Sequence, residues 1–286
     1  HAGVWECPDL FPLNYEGKTK WVLLVSINPG GPNGGSATQY FVGDFDGKKF
    51  QADPLPYPLW IDYGRDNYAG VTFSNIPEID GRRIFLGWMN NWDYANETPT
   101  KIFRSSNTIP RELQLVNNDN HCVLSSYPVK EVDLLRSETV DFPDQIVNNE
   151  KSLKEILKQN DGSFELNLIL KPEKGNVFGF SLQNSKGEVL DFIFDLSNQF
   201  VNIQRNNSGL VGFNDHFPLG MNAPLLPKKS YEIRLLVDKC SAELFIDHGE
   251  IVMTSLFYPR EAMNSLKFFS KEGTLKIEDI KVNDLK

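Results

Sequence analysis

The chain has 286 residues, of which 40% are hydrophobic and 23% charged, and its formal net charge is −9. That is enough material for a large packed core, in two domains or one extended all-β unit. No stretch approaches the roughly 20 continuous apolar residues that cross a bilayer, so membrane insertion is not expected, and the acidic excess runs through the whole chain, which argues against nucleic acid as a partner.

Near the start, Trp5-Glu6-Cys7-Pro8 sets a carboxylate and a thiol between a tryptophan and a proline. Apolar neighbours disfavour the ionised form of a carboxyl group, which makes Glu6 a candidate proton donor. A strand-end glutamate facing water is the alternative. Cys7 would need an activating base to act as a nucleophile, and His1, His121, His216 and His248 form no partner motif with it. Cys7, Cys122 and Cys240 lie far apart without CxxC or histidine-rich spacing, so they read as buried or semi-buried free thiols. No metal site or cofactor is expected. The first residues also lack a charged segment followed by an apolar run, so they do not read as a signal peptide.

Further along, residues 21–27, 39–45, 83–89 and 122–126 are apolar or β-branched runs separated by Gly, Pro and Asn clusters. Short strands with such punctuation predict a propeller, barrel or sandwich. Between them lies Ile61-Asp62-Tyr63-Gly64-Arg65-Asp66-Asn67-Tyr68-Ala69, either a connecting turn with paired charges or part of a site. Gly87-Trp88-Met89-Asn90-Asn91-Trp92-Asp93-Tyr94 places three large aromatics close together, as core plugs or as ligand platforms.

All five tryptophans and most of the nine tyrosines precede residue 130, while Phe, Leu and Ile dominate afterwards. Aromatic faces with polar edges suit sugar rings, so the first part is the better candidate for a site. The shift divides the chain into 1–128, a linker over 129–138, and 139–286. A short helix is expected over Glu150–Lys158, where Leu153, Ile156 and Leu157 share a face. Beyond it, alternating segments with hairpin signals at Lys186-Gly187, His248-Gly249 and Glu272-Gly273 predict a two-sheet sandwich.

Several segments, taken in order, resemble the later motifs of glycoside hydrolase family 32, the invertase, inulinase and levanase family. They are Trp5-Glu6-Cys7-Pro8-Asp9-Leu10-Phe11, Ser26-Ile27-Asn28-Pro29-Gly30, Gln39-Tyr40-Phe41-Val42-Gly43, Asp62-Tyr63-Gly64 with Tyr68-Ala69, Gly87-Trp88-Met89-Asn90-Asn91-Trp92, and Pro110-Arg111-Glu112-Leu113. In the second part, Val237-Asp238-Lys239-Cys240-Ser241-Ala242-Glu243-Leu244-Phe245 with Asp247-His248-Gly249 resembles the family's C-terminal sandwich signature.

The resemblance implies an all-β fold, a partial five-bladed β-propeller followed by a β-sandwich, and retaining hydrolysis of β-fructosyl linkages in fructans or sucrose. It implies Glu6 as acid/base, Trp92 as an aromatic wall of the fructosyl pocket, and Asp62 and Tyr68 at its rim. The family's Asn-Asp-Pro-Asn-Gly and Arg-Asp-Pro segments, which carry the nucleophile and a transition-state-stabilising aspartate, do not occur in these 286 residues. The expectation is therefore a C-terminal portion of a longer, extracytoplasmic enzyme, inactive without the missing N-terminal half of the propeller. The alternatives are a noncatalytic carbohydrate-binding fragment and an arabinan- or xylan-active five-bladed relative.

Overall fold

Strand formation dominates the chain, as the alternating apolar pattern requires. The structure, a computed structural model, describes residues 3–119, 121–154, 156 and 162–286. They form four antiparallel sheets. The first runs in the order Val4–Tyr15, Lys18–Asn28, Ala37–Phe45, Phe50–Ala52, with Leu59–Trp60 also paired to Ala37–Phe45. The second runs His121–Pro128, Arg111–Asn118, Ile84–Met89, Tyr68–Thr72, with Ser106–Asn107 on Ile84–Met89. Both have the make-up of propeller blades, and they pack together over Phe11, Val22, Leu24, Tyr40, Phe85 and Leu113.

The other two sheets form the sandwich. One runs Arg136–Phe142, Thr274–Leu285, Phe164–Lys174, Tyr231–Asp238, Ser241–Ile246, Ile251–Leu256. Its partner runs Glu150–Lys154, Ser265–Lys271, Val177–Gln183, Val189–Asp195, Phe200–Asn207, Met221–Pro224. Inward-facing rings fill the space between them, including the stacked pairs Phe178–Phe194 and Phe180–Phe192 with centroids 5.4 and 4.7 Å apart.

Two sequence expectations change, and one strand had not been expected. The helix expected over Glu150–Lys158 is instead, over Glu150–Lys154, an edge strand paired to Ser265–Lys271, while residues 155 and 157–158 lie outside the described residues. Two turns of helical periodicity are below what an isolated helix needs, and a free sheet edge offers a full ladder. The turn at Glu272-Gly273 is not a hairpin, because the chain leaves one sandwich sheet there and enters the other. The strand Val4–Tyr15 was hidden by Pro8 and Pro12, which an edge strand tolerates.

Two buried arginines tie the blades to the sandwich in opposite directions. Arg111, from the second blade, reaches Glu243 at 2.5 Å and Thr254 at 2.8 Å on the sandwich, and also Asp62 at 2.8 Å. Arg205, from the sandwich, reaches Asp66 at 2.5 Å and the Tyr94 hydroxyl at 2.8 Å in the first part. Arg111, Arg205 and Asp66 are each 0% exposed. Burial alone would make these guanidinium groups easier to deprotonate, but the facing carboxylates outweigh it and raise both.

Arg111→Met should cost about 3–5 kcal/mol in denaturant unfolding, because it strands two buried carboxylates; a loss below about 1 kcal/mol would remove Arg111 from this role. Within the sandwich, burial works to raise Glu165, but Arg136 and Arg234 outweigh it and hold its carboxyl below its ordinary 4.5. A depressed carboxylate contributes stability above its unfolded pKa and loses it as pH falls through the folded value. Wild-type stability should therefore fall below about pH 4.5, and Glu165→Gln should flatten that part of the pH–stability curve.

Candidate active site

Glu6 sits on the edge strand of the first blade, and Tyr68 on the adjoining edge strand of the second. Each strand is irregular just after its site residue. Between Glu6 and Asp9 the register slips by one against Lys18–Asn28, with Cys7 in the left-handed region at φ 47°. Between Tyr68 and Val71 it slips by one against Ile84–Met89, with Ala69 at φ 50°. Bulges of this kind bend a strand and re-aim side chains. Here both blades turn their site residues toward the seam between them, where the Tyr68 hydroxyl donates to the Glu6 carboxylate and Thr72 donates through its amide and hydroxyl to Asp9, each at 2.7 Å.

Burial, and next the hydrogen bond to Glu6, push the Tyr68 phenol well up from its ordinary value. It therefore stays protonated and remains a donor at neutral pH. Glu6 is exposed, and so are Trp5 and Cys7. The apolar shielding that the sequence suggested does not come from these neighbours, since adjacent residues on a strand point to opposite faces. Trp5 instead stacks on Phe41 with centroids 5.9 Å apart. Cys7 is an exposed free thiol, in contrast to the burial expected of it, while Cys122 and Cys240 are half-buried and free.

An aromatic row leads away from Tyr68. Its ring meets Trp88 edge-on at 6.3 Å, and Trp88 meets Trp92 at 5.1 Å. Trp92 is 48% exposed and held from below rather than buried. Its amide donates to Ser36 Oγ at 3.2 Å, and the buried Asn91 side chain donates to the Arg65 carbonyl at 2.8 Å and accepts from the Ser36 and Asp93 amides. Arg65 pairs with Asp93 at 2.7 Å. Gly35 is required beneath this loop, because at φ +66° a Cβ would lie 2.0 Å from Asn91 Oδ1.

Glu6, Tyr68 and Trp92 are thus linked by a hydrogen bond and ring contacts, and Asp62 stands apart from them. Asp62 is 1% exposed, and its carboxylate accepts from the Gly64 amide, the Thr254 amide and hydroxyl, and Arg111. It lies against the sandwich edge strand Ile251–Leu256. A carboxylate in a Gly-rich polar segment serves a backbone edge as readily as a ligand, and sequence alone does not separate the two. Sequence reasoning also missed the seam pair Asp9–Thr72. The only signal for it was the odd three-residue spacing from Glu6 to Asp9, which makes sense once the bulge is known.

Residues 1–128 match the glycosyl hydrolases family 32 N-terminal domain, and residues 131–284 match the family 32 C-terminal domain. A levanase of Bacillus subtilis is 37% identical over 294 residues, covering 100% of this chain and 43% of that protein. An extracellular exo-inulinase of Aspergillus niger is 33% identical, covering 99% of this chain and 54% of that protein. The chain therefore spans about half the length of these curated relatives. Among solved structures, the exo-inulinase of Aspergillus awamori superposes with a TM-score of 0.87 at 27% identity, over 99% of this chain and 57% of that one. A β-fructofuranosidase of Schwanniomyces occidentalis complexed with fructosyl-erythritol gives 0.84 at 27%, over 98% and 60%.

Gly35→Ala should displace the Trp92 loop. Intrinsic tryptophan fluorescence should shift, and the destabilisation should exceed that of Gly47→Ala, whose added Cβ meets nothing within 4 Å although its φ of +91° carries similar backbone strain. Equal effects of the two substitutions would show that the clash with Asn91 does not hold the loop.

Proposed function

The chain belongs to glycoside hydrolase family 32, and from that membership we propose that it is part of an enzyme cleaving β-fructosyl linkages of fructans or sucrose with retention. The observation that carries this reading is the Glu6–Tyr68 contact at the blade seam, beside the exposed Trp92. Glu6 acts as acid/base. In the first step it protonates the leaving glycosidic oxygen, and in the second it takes a proton from the water that releases the fructosyl group. Tyr68 holds the carboxylate toward the seam, and Trp92 offers a ring face to the apolar side of a sugar.

Retaining chemistry also needs a nucleophilic carboxylate about 5 to 5.5 Å from the acid/base. The sequence contains neither an Asn-Asp-Pro-Asn-Gly nor an Arg-Asp-Pro segment. On this reading the nucleophile is supplied by further propeller blades, closing against the Val4–Tyr15 edge, and these 286 residues are inactive without them. Residues 1–128 then contribute to the catalytic propeller, 129–138 link it onward, and 139–286 form the supporting sandwich. Levanases and extracellular exo-inulinases among the relatives favour an extracytoplasmic location. No helix among the described residues is long and apolar enough to cross a membrane.

Joined to a nucleophile-bearing propeller portion, the chain should release fructose from inulin, levan or sucrose, and Glu6→Gln should lower kcat by about 10²- to 10⁴-fold. Full activity in the Glu6→Gln enzyme would overturn the acid/base assignment. Release of arabinose or xylose instead of fructose would overturn the substrate class.

A further inference from the structure

A cavity of about 570 Å³ lies where both blades meet the sandwich, within the range of small-ligand sites. It is remote from Glu6. Glu6 pairs with Ser26 on the next strand, Ser26 with Thr38 on the third, and Leu59–Trp60, which lines the cavity, pairs beyond that. Three strand spacings make about 14 Å across the sheet alone.

The lining has the two properties that a sugar ring demands. Tyr57 is 47% exposed and braced edge-on against His121, with centroids 6.1 Å apart at 87°, so a ring face stays open. Leu59 and Leu225 add apolar surface from opposite sides, one from the blade and one from the sandwich. The polar groups form a network fixed in place: Lys228 pairs with Asp247 at 2.7 Å and Glu250 at 3.0 Å, and Asn118 donates to Glu250 at 3.0 Å. One ammonium facing two carboxylates leaves no surplus positive charge for an anionic ligand. Hydroxyl groups, which donate and accept, match such a network without displacing its ion pairs.

We propose that this cavity is a second carbohydrate subsite, binding a neutral oligosaccharide through stacking on Tyr57 and hydrogen bonds to the Lys228–Glu250–Asn118 network. Its substrate class rests on the fructan reading above; its existence does not. Occupancy there would hold a polymeric chain on the protein away from the bond being cleaved, adding to affinity through local concentration.

The test is titration calorimetry of the whole chain with short inulin- and levan-type oligosaccharides, and in parallel with xylo- and arabino-oligosaccharides. Tyr57→Ala should weaken binding at least about tenfold, in line with the loss of one stacking platform, while Tyr57→Phe, which keeps the ring, should leave it within about twofold. Tyr57 is half exposed, so an unchanged thermal midpoint checks that each variant is folded. Binding lost with Trp92→Ala but kept with Tyr57→Ala, or no binding by any oligosaccharide, overturns the subsite and leaves the fructan reading standing. Tyr57-dependent binding of xylo- or arabino-oligosaccharides alone supports the subsite and overturns the fructan reading.

Discussion

The edge of the sandwich strand Ile251–Leu256 is the constraint on which the rest of the arrangement depends. An uncovered edge presents a row of unpaired amides and carbonyls. Residues 62–66 cover it without forming a regular strand. The Tyr63 amide donates to the Val252 carbonyl at 2.8 Å, the Thr254 amide to Asp62, the Asp66 amide to the Thr254 carbonyl, and the Leu256 amide to Asp66. Gly64 is fixed by the same approach, since a Cβ there would lie 2.1 Å from the Thr254 carbonyl oxygen. Arg111 and Arg205 then neutralise the two carboxylates that this cover brings into the interior. Two residues beyond Asp66, the chain delivers Tyr68 to Glu6.

The site inherits its geometry from that cover. Arg65, between the two buried aspartates, holds Asp93 in the Trp92 loop, and its carbonyl receives Asn91. Asn33 adds another tie, bonding the Tyr63 carbonyl at 2.6 Å and the backbone of Asn222 on the sandwich. The sandwich therefore holds Asp62 and Asp66, on either side of Arg65, and through this segment sets where Tyr68 stands. This accounts for residues of the second part, such as Glu243, occurring in a motif as recognisable as those around Glu6.

Much of this was legible in the sequence where the pattern is local. Alternation in Phe164–Lys174 and Val189–Asp195 marks half-buried strands, and the aromatic shift before residue 130 marks the part holding the Tyr68–Trp88–Trp92 row. What stayed hidden depends on contacts distant in sequence. On paper Glu6 and Asp62 are both carboxylates of a site, one as acid/base and one at its rim, and only a partner 192 residues away, Thr254, makes Asp62 part of the framework. The segment from Glu150 has both helical and strand character, and a neighbouring sheet edge decided between them.

The bulge after Glu6 has a consequence for how this stretch tolerates change. In a regular strand, residues three apart face opposite ways, yet Glu6 and Asp9 both meet the neighbouring blade, through Tyr68 and Thr72. The extra residue resets the phase. A substitution at Cys7 or Pro8 alters chemistry locally, whereas deleting one codon there would restore the ladder and turn one of the two carboxylates away. At this place the number of residues is a stricter inheritance than their kind.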